Sequence, residues 1–115
     1  MFFKKGCDYM EKNTKKYYAL KILAQYPQGV SAKQIVKEHE KELQNYGFNT
    51  RGKDGGLITN SLNATIACMC KSANNTSEEN IFVKKEPKKA MYEDNVYTLY
   101  TINANGLAQI EEENN

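Results

Sequence analysis

An α+β fold, three helices followed by a two-stranded β-hairpin, is what the sequence predicts. Three observations carry that expectation. Apolar residues recur at helical spacing in three stretches up to residue 71, a capping signature opens the second of them, and two runs rich in β-branched and aromatic residues follow between residues 81 and 102. A chain of 115 residues holds one domain and can bury a core without covalent staples. The expected limits are an N-terminal arm over residues 1–13, a folded domain over 14–102 and an acidic, flexible tail over 103–115.

Taken in order, residues 1–13 are mixed and contain Gly6, which reads as a loosely held arm docked by Phe2, Phe3 and Tyr9. The first helix starts from Thr14 as N-cap and turns Tyr17, Leu20, Leu23 and Ala24 inward until Pro27 and Gly29 stop it. The second starts at Ser31, an N-cap with Gln34 at the third helical position, while Val30 is placed to staple onto Ile35. Ile35, Val36, His39, Leu43 and Tyr46 continue the inner stripe up to Gly47, and Lys33, Lys37 and Lys41 form a like-charged row outside. His39, set among inward positions, reads as a structural histidine.

A glycine-dense loop follows, from Phe48 to Gly56. Gly47 to Asp54 fits a phosphate-loop pattern only in part, because Asp54 stands where a magnesium-binding hydroxyl is needed and a helix, not a strand, precedes it. The preferred reading gives Arg51 and Lys53 to a phosphate backbone; a plain flexible connector is the alternative for Gly55 and Gly56.

The third helix begins near Thr59 or Asn60. Ile58, Leu62, Thr65, Ile66, Met69 and Ala73 share one face, and Asn60, Asn63, Ala64, Ala67, Lys71 and Asn74 share the other. Asparagine can pair bidentately with adenine, and alanine lets a helix approach a groove closely. The same front also suits a helix that faces water. After a polar loop over residues 72–80, strands are expected at Ile81-Phe82-Val83 and from Val96 to Ile102. Between them Lys84, Lys85, Lys88 and Lys89 are expected at the hairpin tip, to touch a DNA backbone or minor groove or simply to stay solvated. Helices in this order with a basic hairpin behind them make a winged helix-turn-helix.

Composition narrows the chemistry. Charged residues are 26% and hydrophobic ones 40%, ordinary for a globular domain, and no apolar run approaches the ~20 residues of a membrane helix. The start of the chain lacks the features of a signal peptide, so the expected place is intracellular, the nucleus in a eukaryote. Cys7, Cys68 and Cys70 are odd in number, and with His39 as the one histidine they form no zinc set, so neither a disulfide framework nor a metal or other cofactor is expected. Net charge is +2, but Glu111, Glu112 and Glu113 sit in the tail, leaving the preceding residues more basic than the total suggests.

The span from Tyr17 to Ile102 resembles the HARE-HTH family of winged-helix domains. The likeness rests on Ala19 to Leu23, on Val30-Ser31-Ala32-Lys33-Gln34-Ile35, on Gly52-Lys53-Asp54 leading into Ser61-Leu62-Asn63-Ala64-Thr65-Ile66, and on Phe82-Val83 with Tyr97-Thr98-Leu99. The family usually opens its third helix with Thr-Pro or Ser-Pro, whereas residues 54–59 here are longer and lack proline. The resemblance implies a domain that binds DNA or bridges DNA to a DNA- or chromatin-modifying complex, such as one built on a DNA methyltransferase.

The first functional expectation is therefore double-stranded DNA binding without catalysis. Arg51, Lys53, Lys84, Lys85, Lys88 and Lys89 would hold phosphates, and Asn60, Asn63 and Lys71 would face base edges or groove walls. The alternative is a protein-interaction module that docks in a larger assembly through tyrosines such as Tyr9, Tyr18, Tyr26 and Tyr92. No nucleophile, base and orienting group converge by spacing, so neither catalysis nor a small-molecule substrate is expected.

Overall fold

A computed structural model describes residues 14–70 and 81–111 of the chain. The expected arm over residues 1–13, Lys71, the polar loop over 72–80 and the last four residues lie outside the described residues. The rest is a small α+β domain with helices α1 (Lys15–Leu23), α2 (Ala32–Glu38), α3 (Glu40–Asn45), α4 (Asn60–Ala67) and α5 (Ala104–Glu111), and strands β1 (Val83–Lys85), β2 (Ala90–Tyr92), β3 (Asn95–Tyr97) and β4 (Tyr100–Ile102). No described helix is long and apolar enough to cross a membrane.

Local chemistry sets the first two helix starts. The Thr14 hydroxyl accepts from the Tyr17 amide at 3.2 Å, and α1 buries Tyr17, Ala19, Leu20, Ile22 and Leu23. The Ser31 hydroxyl accepts from the Gln34 amide at 3.1 Å. The Gln34 side chain turns forward to the Glu38 carboxylate, so the other half of the expected capping box is replaced by a contact one turn along. Val30 and Ile35 both lie in the core.

The single helix expected between Ser31 and Tyr46 is broken at His39, where φ −126° and ψ 30° leave the helical region. The cause is tertiary. The Tyr26 hydroxyl, reaching from the turn after α1, lies 2.8 Å from His39 Nε2, while His39 Nδ1 lies 3.1 Å from Glu42 Oε1. The ring is thereby fastened to the turn after α1 and to α3. Gly47 ends α3 as expected: at φ 95° it closes a Schellman motif, its amide donating to the Gln44 carbonyl and that of Phe48 to Leu43.

Val30 and Tyr100 exchange both backbone hydrogen bonds at 2.9 Å, and β4 pairs antiparallel with β1 on its other side, Val83 opposite Ile102 and Lys85 opposite Tyr100. Three extended segments thus lie side by side, with β4 in the middle. The core between them and the helices holds Leu20, Ile35, Leu43, Leu62, Ile66 and Val83.

Two expectations are corrected beyond β1. The hairpin tip is not the lysine run. Lys84 and Lys85 belong to β1, residues 87–89 form an exposed bend between β1 and β2, and β2 then pairs with β3 around a turn at Glu93 and Asp94. Positive φ at both turn residues, 51° and 67°, marks a type I′ geometry, which matches the twist of a two-residue hairpin. The tail is also not a loose end as far as Glu111. The Asn103 side chain accepts from the Gly106 amide at 2.9 Å and donates to the Ile81 carbonyl, α5 begins there, and Ile110 packs on the core.

Candidate functional site

The third expected helix, α4, keeps the two faces that its spacing predicts, with one exchange. Leu62 and Ile66 are buried, followed by Met69 and Cys70 after the last turn, while Asn60, Ala64, Ala67 and Cys68 are exposed. Asn63 leaves the exposed set. Its carbonyl oxygen accepts from the Tyr100 hydroxyl at 3.3 Å and its NH2 donates to the Thr59 hydroxyl at 3.0 Å, so the side chain ties α4 to β4. An asparagine engaged this way cannot also offer a free bidentate edge to a base. Among the described residues, Asn60 in the first turn is the one asparagine left on the front.

The loop before α4 is built, not slack. Arg51 pairs with Leu57 in an antiparallel bridge, the Gly52 amide donates to the Gly56 carbonyl at 2.8 Å, and the Ile58 amide donates to Thr50 at 2.9 Å. Arg51 closes it: Nε and one NH2 grip the Glu40 carboxylate at 2.7 and 3.0 Å, and the other donates to the Gly55 carbonyl at 2.8 Å. That fork holds the Glu40 carboxyl below the ordinary carboxylate range, with the Thr50 hydroxyl adding to it against some desolvation. Arg51 is therefore not a spare cation for phosphate. Lys53, two residues on, is exposed at the turn and has no ion pair among the described residues.

Successive residues of β1 point to opposite faces, which divides the lysines. Lys84 lies across from Thr101 and reaches Glu86 at 3.8 Å. Lys85 lies across from Tyr100, on the side of α4, where its charge opposes the burial that pushes the Cys70 thiol up. Lys88 and Lys89 are exposed on the bend, and neither forms an ion pair among the described residues. The tip itself is acidic, and Glu93 is ion-paired with Lys37 of α2. No spacing rule links residues 37 and 93.

The tyrosines are spent mainly inside the domain. Tyr18 stacks on Tyr46 with centroids 3.9 Å apart, and the Tyr46 hydroxyl donates to Glu42 at 3.0 Å. The Tyr26 hydroxyl also lies 2.7 Å from Glu38 Oε1. Burial first, and then the Glu38 carboxylate, push the Tyr26 hydroxyl far above the usual phenol range. Tyr92 faces the same Glu38 and Lys37 region from β2. Tyr9 lies outside the described residues. No group of three or more metal-ligating side chains occurs among the described residues, and Cys68 and Cys70 are not bridged. Comparison with protein families, with curated proteins and with solved structures returns no match.

Proposed function

We propose that the domain is a non-catalytic DNA-binding module of winged-helix type, an accessory subunit that helps a DNA- or chromatin-modifying complex engage double-stranded DNA. One observation carries the reading: the front of α4 is small and polar and has lysines without internal partners beside it. Asn60, Ala64 and Ala67 form that front, Lys53 stands on the loop leading into it, and Lys85 lies near Cys70 beyond its far end. Alanine at two of the three positions permits the close approach that a major groove demands. The arginine and the lysine that the fold has neutralised, Arg51 and Lys84, are set apart from the cations left free. The alignment of Val30, β4 and β1 after helices α1 to α4 supports the winged-helix part.

Phosphate contacts then fall to Lys53, Lys85, Lys88 and Lys89, and the groove contact to Asn60. The test is binding of the purified chain to a labelled duplex across a salt series. Binding that weakens with salt is expected, and replacing the four lysines by alanine is expected to flatten the slope by about 0.9 for each phosphate no longer neutralised. Arg51→Ala should instead lower stability. Equal affinity of parent and four-lysine variant at low salt rules this mechanism out.

A further inference from the structure

Met91 and Val96 are 69% and 59% exposed, the most open large apolar side chains among the described residues. They are direct cross-strand partners, so they stand side by side on one face of the β2–β3 hairpin. The other face carries Ala90 opposite Tyr97 and Tyr92 opposite Asn95, and Tyr92 lies toward Glu38 and Lys37 of α2. Glu93 clamps the turn to Lys37, while the β1–β4 ladder holds the base. The apolar pair is thus presented outward by a hairpin fixed at both ends.

Register decides which face shows. A slip by one residue would turn Met91 and Val96 toward α2 and put the opposite set outside. The register is held by a turn whose two central residues both have positive φ and neither of which is glycine, a conformation that costs free energy. Leu107, the other exposed large apolar residue, stands alone on α5 and has no such neighbour.

We propose that this outer hairpin face is a docking surface for an extended peptide segment of a protein partner that carries apolar side chains next to carboxylates. Charge selects that occupant. Internal pairing cancels Lys84 with Glu86 and Glu93 with Lys37, leaving Lys88 and Lys89 free at the bend end of the pair and Asp94 at the turn end. An apolar centre with a charged rim is the make-up of a protein interface, in which methionine is enriched. Duplex DNA fits less well, because its interfaces are polar and strongly basic, and Asp94 would face phosphates. A second copy fits less well too: two side chains fall far short of the roughly 800 Å² per partner of a stable dimer. A short segment suits the small area. The apolar centre, Met91 with Val96, lies apart from the α4 front; Lys88 and Lys89 are shared with the proposed phosphate contacts, so it is Met91 and Val96 that define this site.

The test uses the whole chain, isotope-labelled, titrated with a short synthetic peptide of alternating leucine and aspartate. Amide shifts confined to Lys88, Lys89 and the β2–β3 residues are expected, and the double variant Met91→Ser with Val96→Ser should weaken the interaction about tenfold. Both side chains are exposed, so an unchanged spectrum elsewhere will show that the variant folds. A second variant, Lys88→Gln with Lys89→Gln, should weaken it as well and flatten its salt dependence. The proposal is overturned if the peptide moves no hairpin amide or binds the serine variant equally well. It is also overturned if a short duplex shifts the Met91 and Val96 amides as the peptide does, which assigns the apolar face to nucleic acid, or if those amides shift with protein concentration alone, which assigns it to a second copy. Duplex shifts limited to Lys88 and Lys89 are what the proposed phosphate contacts give and leave the apolar site standing.

Discussion

At the scale of single residues, polar side chains that look free in the sequence are divided by what the fold asks of them. Asn63 and Arg51 are both engaged within the fold, Asn63 by the hydroxyls of Thr59 and Tyr100 and Arg51, still exposed, by Glu40. Asn63→Ala is therefore expected to cost about 1 kcal/mol of stability in denaturant unfolding, with little change in DNA sequence preference. The Glu40 carboxyl titrates lower in the folded chain than in the unfolded one, first because of Arg51. Its contribution is present above the unfolded value and is lost as pH falls through the folded one. Glu40→Gln should thus lower stability at neutral pH and make little difference in strong acid, which acid unfolding of the two proteins side by side will show. Tyrosine runs the other way. Tyr26, Tyr46, Tyr92 and Tyr100 are all raised, each chiefly by burial. The folded state keeps protons that the unfolded chain releases above the ordinary value of 10.0. Stability should decline from there upward, and a spectrophotometric titration of tyrosinate should show a late-ionising group that unfolding brings forward.

At the scale of elements, what was legible in the sequence is what local chemistry decides. Thr14 and Ser31 cap their helices from three residues away, Gly47 stops α3 through its own φ, and the apolar spacing of Leu62 and Ile66 places the buried side of α4. What was not legible depends on distant partners. The break at His39 needs Tyr26, and no periodicity within residues 31–46 records a tyrosine in the preceding turn. The hairpin turn was hidden because Glu-Asp is not the glycine-bearing pair that usually signals type I′. Helix α5 lies in the stretch that the sequence presents as an acidic tail, and the missing side chain of Gly106 is what lets the helix dock. A Cβ there would lie 2.5 Å from the Phe82 carbonyl oxygen and 2.7 Å from Ile102. Alanine normally gains about 1 kcal/mol over glycine inside a helix. Here Gly106→Ala should instead destabilise by about 1–3 kcal/mol, as overpacking does, with thermal unfolding as the readout. The candidate site was half legible for the same reason: exposure of Asn60, Lys53, Lys85, Lys88 and Lys89 follows from pattern, whereas capture of Asn63, Arg51 and Lys84 follows from packing.

At the scale of the whole molecule, the domain separates two kinds of surface, a small polar helix front with free lysines beside it and an apolar hairpin face fixed by α2. Both rest on the central position of β4, and the pairing of Val30 with Tyr100 is what joins the first half of the domain to the second. Amide exchange should report that joint: the Val30 and Tyr100 amides are expected to exchange only with global unfolding, together with core amides such as Leu20. Faster exchange at Val30 alone would mean that the pairing frays on its own. The same pair sets a timetable for synthesis. Residues 15–67 emerge from the ribosome first and include every described helix but α5, yet Val30 cannot make its hydrogen bonds until residue 100 has left the exit tunnel. Closing so long a segment is entropically costly and slow. During translation the apolar edges that β4 and β1 will cover stay open, and the nascent chain is open to mispairing until its final strand arrives.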